Sequence, residues 1–258
     1  MLFGAFGCGG KCALGGSCLA ERLSHYIGLT KAEQDMLDRL EDQQRHVRRG
    51  TVITAEGEPT RELYVVQKGW LQSSVLLGNG GRQIMRVNMP GDIIGFSSLA
   101  FEEAPETVTA LTDATICPFG RERLSVLFSE HPRLMALLFS LTVAERATLA
   151  DRLASIGRTS ARARVASLLC EVFSRLRLMN GAEAKVAHIP MTQEEIGDAT
   201  GLTAVHVNRM IRNLVEDGII ERTGNSFRLL DAARLADEAN FTDRSKIGTG
   251  WLPPPRTP

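Results

Sequence analysis

The chain has 258 residues, 43% of them hydrophobic, and carries 30 basic against 30 acidic residues. That length fits one or two domains with real cores, and the even charge balance excludes a global nucleic-acid-binding or membrane-binding surface, so any basic face must be local. No apolar run approaches the ~20 residues that span a bilayer, and the start MLFGAFGCGG lacks the basic and long apolar parts of an export signal. A cytoplasmic location with no membrane partner is therefore expected. In that setting the five cysteines argue for metal, redox or core roles over a disulfide framework.

Residues 1–26 form a first segment rich in Cys and Gly. Its stretch GCGGKCALGGSC, residues 7–18, holds Cys8, Cys12 and Cys18. By itself it admits a metal-binding loop, a redox switch or a loose N-terminus. Over 30–43 a short amphipathic helix is expected, because Thr30 and Glu33 make a capping box and Met36, Leu37 and Leu40 share one face. From about 48 to 120 short runs rich in strand residues alternate with glycines. GNGG at 78–81 reads as a hairpin turn, since Asn and Gly tolerate positive φ. Residues 27–131 are thus expected to form a sandwich, roll or barrel.

Two helices follow. RERLSVLFSEH stops near Pro132, and a longer helix covers 132–157. Leu134, Leu137, Leu138, Leu141, Leu149 and Leu153 give it a continuous apolar stripe, which reads as the seam of a homodimer or as ordinary core packing. Asp151, beside that stripe, either tunes the seam by charge repulsion across it or is simply solvated. Residues 158–235 read as a second helical unit with a small β end. Cys170 sits in its first apolar run and is read as a core thiol. The remainder, 236–258, is Pro/Gly-rich and is expected to be a flexible tail.

The segment IPMTQEEIGDATGLTAVHVNRMIRNLVEDGIIERTGNSFRLL, residues 189–230, carries the most specific pattern. Thr192 and Glu195 cap one helix, Gly201 marks a turn, and Thr203 caps a second helix. Val207, Ile211 and Leu214 line that helix at i, i+4, i+7, and Gly218 ends it. Two short strands around Gly224 and Asn225 complete a winged helix-turn-helix. In such a unit the second helix enters the major groove of double-stranded DNA and its early residues meet base edges. The inward face consumes Val207, Ile211 and Leu214 and leaves Val205, His206, Asn208, Arg209 and Arg212 outward, with Thr203 at the cap. Arg209 suits guanine O6 and N7, and Asn208 suits adenine or a phosphate. Gln193, Arg222 and Arg228 suit backbone phosphates.

The order of β-roll, long helix and winged helix-turn-helix resembles the Crp/Fnr family of bacterial transcription regulators over roughly residues 25–235. The strongest matches are PGDIIGF (90–96) and TQEEIGDATGLTAVHVNRMIRNL (192–214). The resemblance implies an α+β chain with a jelly-roll, cyclic-nucleotide-binding-like sensor domain, and a homodimer on a two-fold symmetric DNA site with RNA polymerase as a partner. Cyclic-nucleotide binders of the family carry Gly-Glu-Leu after the GD turn and then an Arg for the phosphate. Here Phe96 and Ser97 follow Gly95, and the arginine region reads PETVTA (105–110). No cyclic nucleotide is therefore expected. The GDxxGF form is similar to the Fnr branch, which senses oxygen through a [4Fe–4S] cluster held by three N-terminal cysteines and one in the roll. By that resemblance Cys8, Cys12, Cys18 and Cys117 are the ligands.

The sequence also departs from that branch. Its spacing is C-x3-C-x5-C in place of C-x2-C-x5-C, and Ser24 and His25 stand where the last N-terminal ligand falls. Three alternatives remain open: His25 replacing a thiolate, a thiol switch in which Cys8 and Cys12 form a disulfide, and no cofactor at all. The long gap from Cys18 to Cys117 is unlike the paired knuckles of structural zinc sites. Val205 stands where the family carries Glu four residues before the Arg, so the half-site is expected to differ at that base pair. No histidine lies between His46 and His131, so the strands lack the His/Glu set of a cupin-like enzyme. No nucleophile–base pair or phosphate loop appears, and an enzyme is not expected.

Overall fold

The computed structural model describes residues 16–181 and 184–255; Cys8 and Cys12 lie outside the described residues. In chain order the elements are α1 (Cys18–Ser24), α2 (Lys31–Leu40), β1 (Arg45–Val47), β2 (Val52–Thr54), β3 (Glu62–Lys68), β4 (Leu71–Leu76), β5 (Arg82–Asn88) and β6 (Ile93–Ile94). A 3-10 turn (Phe96–Leu99), β7 (Thr107–Ala110), β8 (Ala114–Gly120), α3 (Arg121–Glu130), α4 (Pro132–Arg158) and α5 (Ala161–Asn180) follow. The chain closes with β9 (Val186–His188), α6 (Gln193–Thr200), α7 (Ala204–Glu216), β10 (Ile220–Thr223), β11 (Ser226–Leu229) and α8 (Ala232–Ala239). These form two compact units. The first draws on residues up to Val75, on Arg86–Ser140 and on the chain from Gly248; the second draws on Leu76–Met85 and Leu141–Ile247.

The β-roll consists of two four-stranded sheets, ordered β1-β8-β3-β6 and β2-β7-β4-β5. Between them Tyr64, Val66, Leu71, Ile94, Val108, Ala110, Ala114 and Ile116 form a core. β3 is buried from Leu63 through Val66, because α1 packs on the same strand and covers what would otherwise be a wet face. That is why ELYVV reads as a continuous apolar run and not as an alternation. α2 starts at the expected capping box, with the Thr30 hydroxyl accepting from the Glu33 amide and the Glu33 carboxylate accepting from the Thr30 amide. The hairpin at 78–81 closes through the Leu77 amide on the Gly81 carbonyl, at 2.7 Å.

The stripe expected to form the dimer seam is divided. Leu134 and Leu138 are 0% and 4% exposed within the single chain and Leu141 is 8% exposed, whereas Leu149 and Leu153 are 40% and 74% exposed. The first three are already buried by the chain's own packing. Arg133 shows the same anchoring, donating to the Gly28 carbonyl and to Glu33 of α2. Val143, 48% exposed, joins Leu149 and Leu153 as apolar surface on α4.

In the second unit α5 buries Val165, Ala166, Leu169, Val172 and Phe173, and α6, α7 and α8 pack against it. Cys170 belongs to that core, and burial pushes its thiol up to about 12. A three-stranded sheet, β10-β11-β9, forms the wing. The segment expected as a loose tail is tied down at its start. α8 continues through Ala239, beyond residue 235, and Asp243 and Arg244 then hydrogen-bond to α5 and α4. No single helix among the described residues is long and apolar enough to cross a membrane.

Candidate DNA-reading face and cysteine site

α6 and α7 are built by local chemistry. The Thr192 hydroxyl accepts from the Glu195 amide at 3.1 Å while the Glu195 carboxylate accepts from the Thr192 amide at 2.7 Å. α6 ends on Gly201, whose φ of +67° is a left-handed conformation that glycine adopts without steric cost. The Leu202 amide then bonds the Gly197 carbonyl at 3.0 Å and closes the turn. The Thr203 hydroxyl accepts from the His206 amide at 3.4 Å and starts α7. Val207, Met210, Ile211 and Leu214 face inward and are buried; fully burying such a side chain is worth about 1.5–3 kcal/mol.

The opposite face of α7 lies in solvent. Val205 is 78% exposed, and Thr203, His206, Asn208, Arg209 and Arg212 are all exposed. The structure therefore brings these residues together on the exposed face of one helix and at its N-cap. Gln193, at the start of α6, is partly buried, and its Oε1 has no hydrogen-bond partner among the described residues. Asp198, an acidic residue of α6, is paired with Arg82 at 2.7 Å. Each wing arginine has a partner on its own hairpin. Arg222 donates to the Gly224 carbonyl at 2.9 Å and lies 5.5 Å from the centre of the Phe227 ring, and Arg228 sits 3.5 Å from Glu221.

A second site forms around Glu41, which lies just past α2. Its buried carboxylate accepts from the Ser17 hydroxyl at 2.6 Å, the Leu19 amide at 2.9 Å and the Cys18 amide at 3.2 Å, and so holds the start of α1. Burial pushes its carboxyl up, and these hydrogen bonds work the other way. Cys18 is 2% exposed, and its sulfur lies 3.3 Å from the Gln67 carbonyl oxygen. Gln67 is the extra residue of a bulge in β3, where the register on β8 shifts between Val66 and Lys68. Cys117 stands beside that bulge, paired with Val65. It is 0% exposed, and burial, reinforced by the Glu41 charge, pushes its thiol up to about 12. Bulges mark places where a strand is re-aimed, often at functional sites.

Two of the four expected ligands, Cys18 and Cys117, are thus shielded from water around one carboxylate. Cys18 is disulfide-bonded; the expected Cys8–Cys12 disulfide lies outside the described residues. Among the described residues no group of three or more His, Cys, Asp or Glu is arranged to hold a metal ion. His25 does not join the site. It is exposed at the C-cap of α1, seven residues along the helix from Cys18, or ~10 Å at 1.5 Å per residue. Ser17, Glu41 and Gln67 had no sequence signal: each reads locally as a polar residue at the edge of an element.

Inside the roll the chain buries several polar side chains, with Arg86 beside the acidic residues Glu106 and Asp92. Glu106 is hydrogen-bonded to Ser73, and burial pushes its carboxyl up. Gln72 Oε1, Asn88 Oδ1 and the Ser98 hydroxyl are buried without hydrogen-bond partners among the described residues. Arg86 is 3.3 Å from the buried Asp92.

Residues 44–131 match the family model of the cyclic nucleotide-binding domain, and residues 163–238 match that of the Crp-like helix-turn-helix domain. The chain is 30% identical over 190 residues to the nitrogen fixation regulation protein FixK of Bradyrhizobium diazoefficiens, a match covering 74% of this chain and 79% of that protein. It is 26% identical over 224 residues to the transcriptional activator protein anr of Pseudomonas aeruginosa, covering 87% and 89%. The solved structure of FixK2 from Bradyrhizobium japonicum superposes with a TM-score of 0.68 at 29% identity, covering 76% of this chain and 96% of that one. These are similarities to transcription regulators, not to enzymes. The chain belongs to the Crp/Fnr family and is a DNA-binding transcription regulator of that type.

Proposed function

We propose that this regulator is a redox-responsive homodimer that reads a two-fold symmetric DNA site with α7 and takes its signal at the Cys18–Cys117 site. One observation carries the redox reading: two cysteines far apart in sequence lie shielded around the same buried carboxylate, beside a bulge in β3. Regulators of the family are typically dimers. Leu149 and Leu153 stand four residues apart on one exposed face of α4, as a second copy requires. Arg209, Asn208, His206 and Val205 meet base edges, Arg212 and Gln193 meet phosphates, and Thr203 fixes the helix that presents them. RNA polymerase is the protein partner, and the cytoplasm is the place of action.

With the disulfide at Cys18 reduced, Cys8, Cys12, Cys18 and Cys117 would be the four thiolate donors of a [4Fe–4S] group, which supplies oxygen-sensitive redox chemistry when bound. The two described donors fit it in being sulfur atoms screened from bulk water. Glu41 and Ser17 hold Cys18 against the roll, and β8 holds Cys117. A second reading, a thiol switch without iron, is favoured by the disulfide at Cys18. A cyclic nucleotide does not fit this reading of the roll, because a cyclic phosphate would meet Glu106, and Arg86, the cation beside it, is already paired with Asp92.

The test is reconstitution with iron and sulfide under exclusion of air, run beside a count of free thiols before and after reduction. Visible absorbance with four irons per chain, lost in Cys117→Ala, supports the cluster. An iron-free chain whose Cys18 becomes titratable only on reduction supports the switch. A chain that takes up no iron and shows the same thiol count before and after reduction overturns both.

A further inference from the structure

The helix-turn-helix match stops at residue 238, yet the chain stays engaged with the second unit. α8 ends on Asn240, which adopts a left-handed φ of +47°, and the chain turns back. Asp243 Oδ1 accepts from the Ser174 hydroxyl of α5 at 2.7 Å and from the Ser245 amide at 2.9 Å. Arg244 reaches α4: one guanidinium N–H donates to Asp151 Oδ1 at 2.9 Å, and its Nε–H donates to the other carboxylate oxygen. The Arg244 guanidinium holds the Asp151 carboxyl below the usual aspartate range. Segment 240–247 therefore grips α5 with one residue and α4 with the next.

Between those two helices the backbone is broken. α4 ends at Arg158, and Ser160 is extended, at φ −68° and ψ 158°, before α5 begins. Next to Asp151 on α4, Arg152 donates to Glu171 of α5 at 2.5 Å. α5 in turn carries α6, α7 and α8 packed on it, and Arg162 at its start pairs with Glu238 of α8 and Asp217 at the end of α7. The backbone break at 159–160 is thus where α4 and the reader part, and side chains span it.

We propose that segment 240–247 is a strap across this bend, with the Arg244–Asp151 pair as its clasp, and that opening the clasp lowers affinity for a two-fold symmetric DNA site. The consequence for DNA rests on the reading that α7 contacts DNA and that α4 pairs two copies. Two reader helices must meet successive major grooves about one DNA turn, ~34 Å, apart. Angular freedom at the bend in each protomer weakens the simultaneous fit without altering any residue that touches DNA.

The test uses the full-length chain with charge reversals at the clasp. Tryptic cleavage after Arg158, followed by mass spectrometry, reports the bend without DNA. D151R and R244D alone are each expected to speed that cleavage about fivefold, the size of one well-formed surface ion pair, and to weaken DNA binding by a similar factor. The double variant D151R/R244D restores the pair with reversed polarity and returns both readouts to near wild type. A chain ended after Asn240 behaves like the single variants. Unchanged cleavage in the single variants, or additive loss in the double variant, overturns the strap. Faster cleavage with unchanged DNA affinity overturns its coupling to DNA. If wild type binds no DNA, the reader assignment fails, and the cleavage readout still judges the strap.

Discussion

Replacing glycine by alanine at two helical positions of the second unit should change stability in opposite directions. Inside a helix the exchange ordinarily stabilises by about 1 kcal/mol. At Gly157, on α4, an added Cβ meets nothing within 4 Å, so Gly157→Ala should show that gain. At Gly197, on α6, the Cβ would stand 2.4 Å from the Leu202 carbonyl oxygen. That neighbour is backbone, in the turn closed by the Leu202 amide on the Gly197 carbonyl, and it cannot swing aside. Overpacking of this kind costs about 1–3 kcal/mol, and a strained turn hydrogen bond forfeits about 1 kcal/mol more. Set against the helical gain, Gly197→Ala should destabilise by about 1–3 kcal/mol, a fall in melting temperature on the order of 5–10 °C for a unit of this size. Because α7 is displaced from α6, DNA affinity should fall by more than the loss of folded protein explains. Calorimetry of both variants with a DNA titration of the folded fraction is the assay. A Gly197→Ala chain as stable as Gly157→Ala would refute the close approach that this helix pair requires.

Arg209→Ala should lose ~1–3 kcal/mol of base discrimination, and Val205→Glu should move the preferred half-site at one base pair; a selection of bound sequences reads both. Leu153→Glu, on the exposed side of α4, should shift the protein toward monomer in sedimentation with its melting temperature within a few degrees of wild type. Leu138→Glu should unfold the first unit instead, since burying an unpaired carboxylate there costs several kcal/mol. The Asp151 carboxyl is held low by Arg244, so its contribution is fully present above the ordinary aspartate range and fades as pH falls through its depressed value. Tryptic cleavage stops being usable in that range, and hydrogen exchange at residues 159–160 is the readout, with faster exchange only on the acid side.

What was legible in the sequence was local. The capping boxes at Thr30 and Thr192 each involve residues three apart, so their hydrogen bonds could be written down from spacing alone. The outward set on α7 followed from a 3.6-residue period and from the three apolar residues that had to face in. The roll's turns followed from glycines and Asn79. The stripe on α4 was legible only in part. Leu134, Leu138 and Leu141 carry the same pattern as Leu149 and Leu153, and only the folded chain shows that the first three are already covered. Glu41 and the Gln67 bulge were invisible because their meaning comes from α1 arriving from one side and β8 from the other. The strap was hidden in the same way: Arg244 and Asp151 are 93 positions apart, and a Pro/Gly-rich tail gave no period by which to place Arg244.

The account stands most directly on whether the cysteine site controls the reader. The measurement is the dissociation constant for one two-fold symmetric DNA site, taken for reduced and air-oxidised protein, in wild type and in Cys117→Ser. A redox-dependent affinity in wild type that collapses to a single value in Cys117→Ser is the predicted result. Equal affinities in both redox states of wild type, with DNA bound tightly in each, would contradict it.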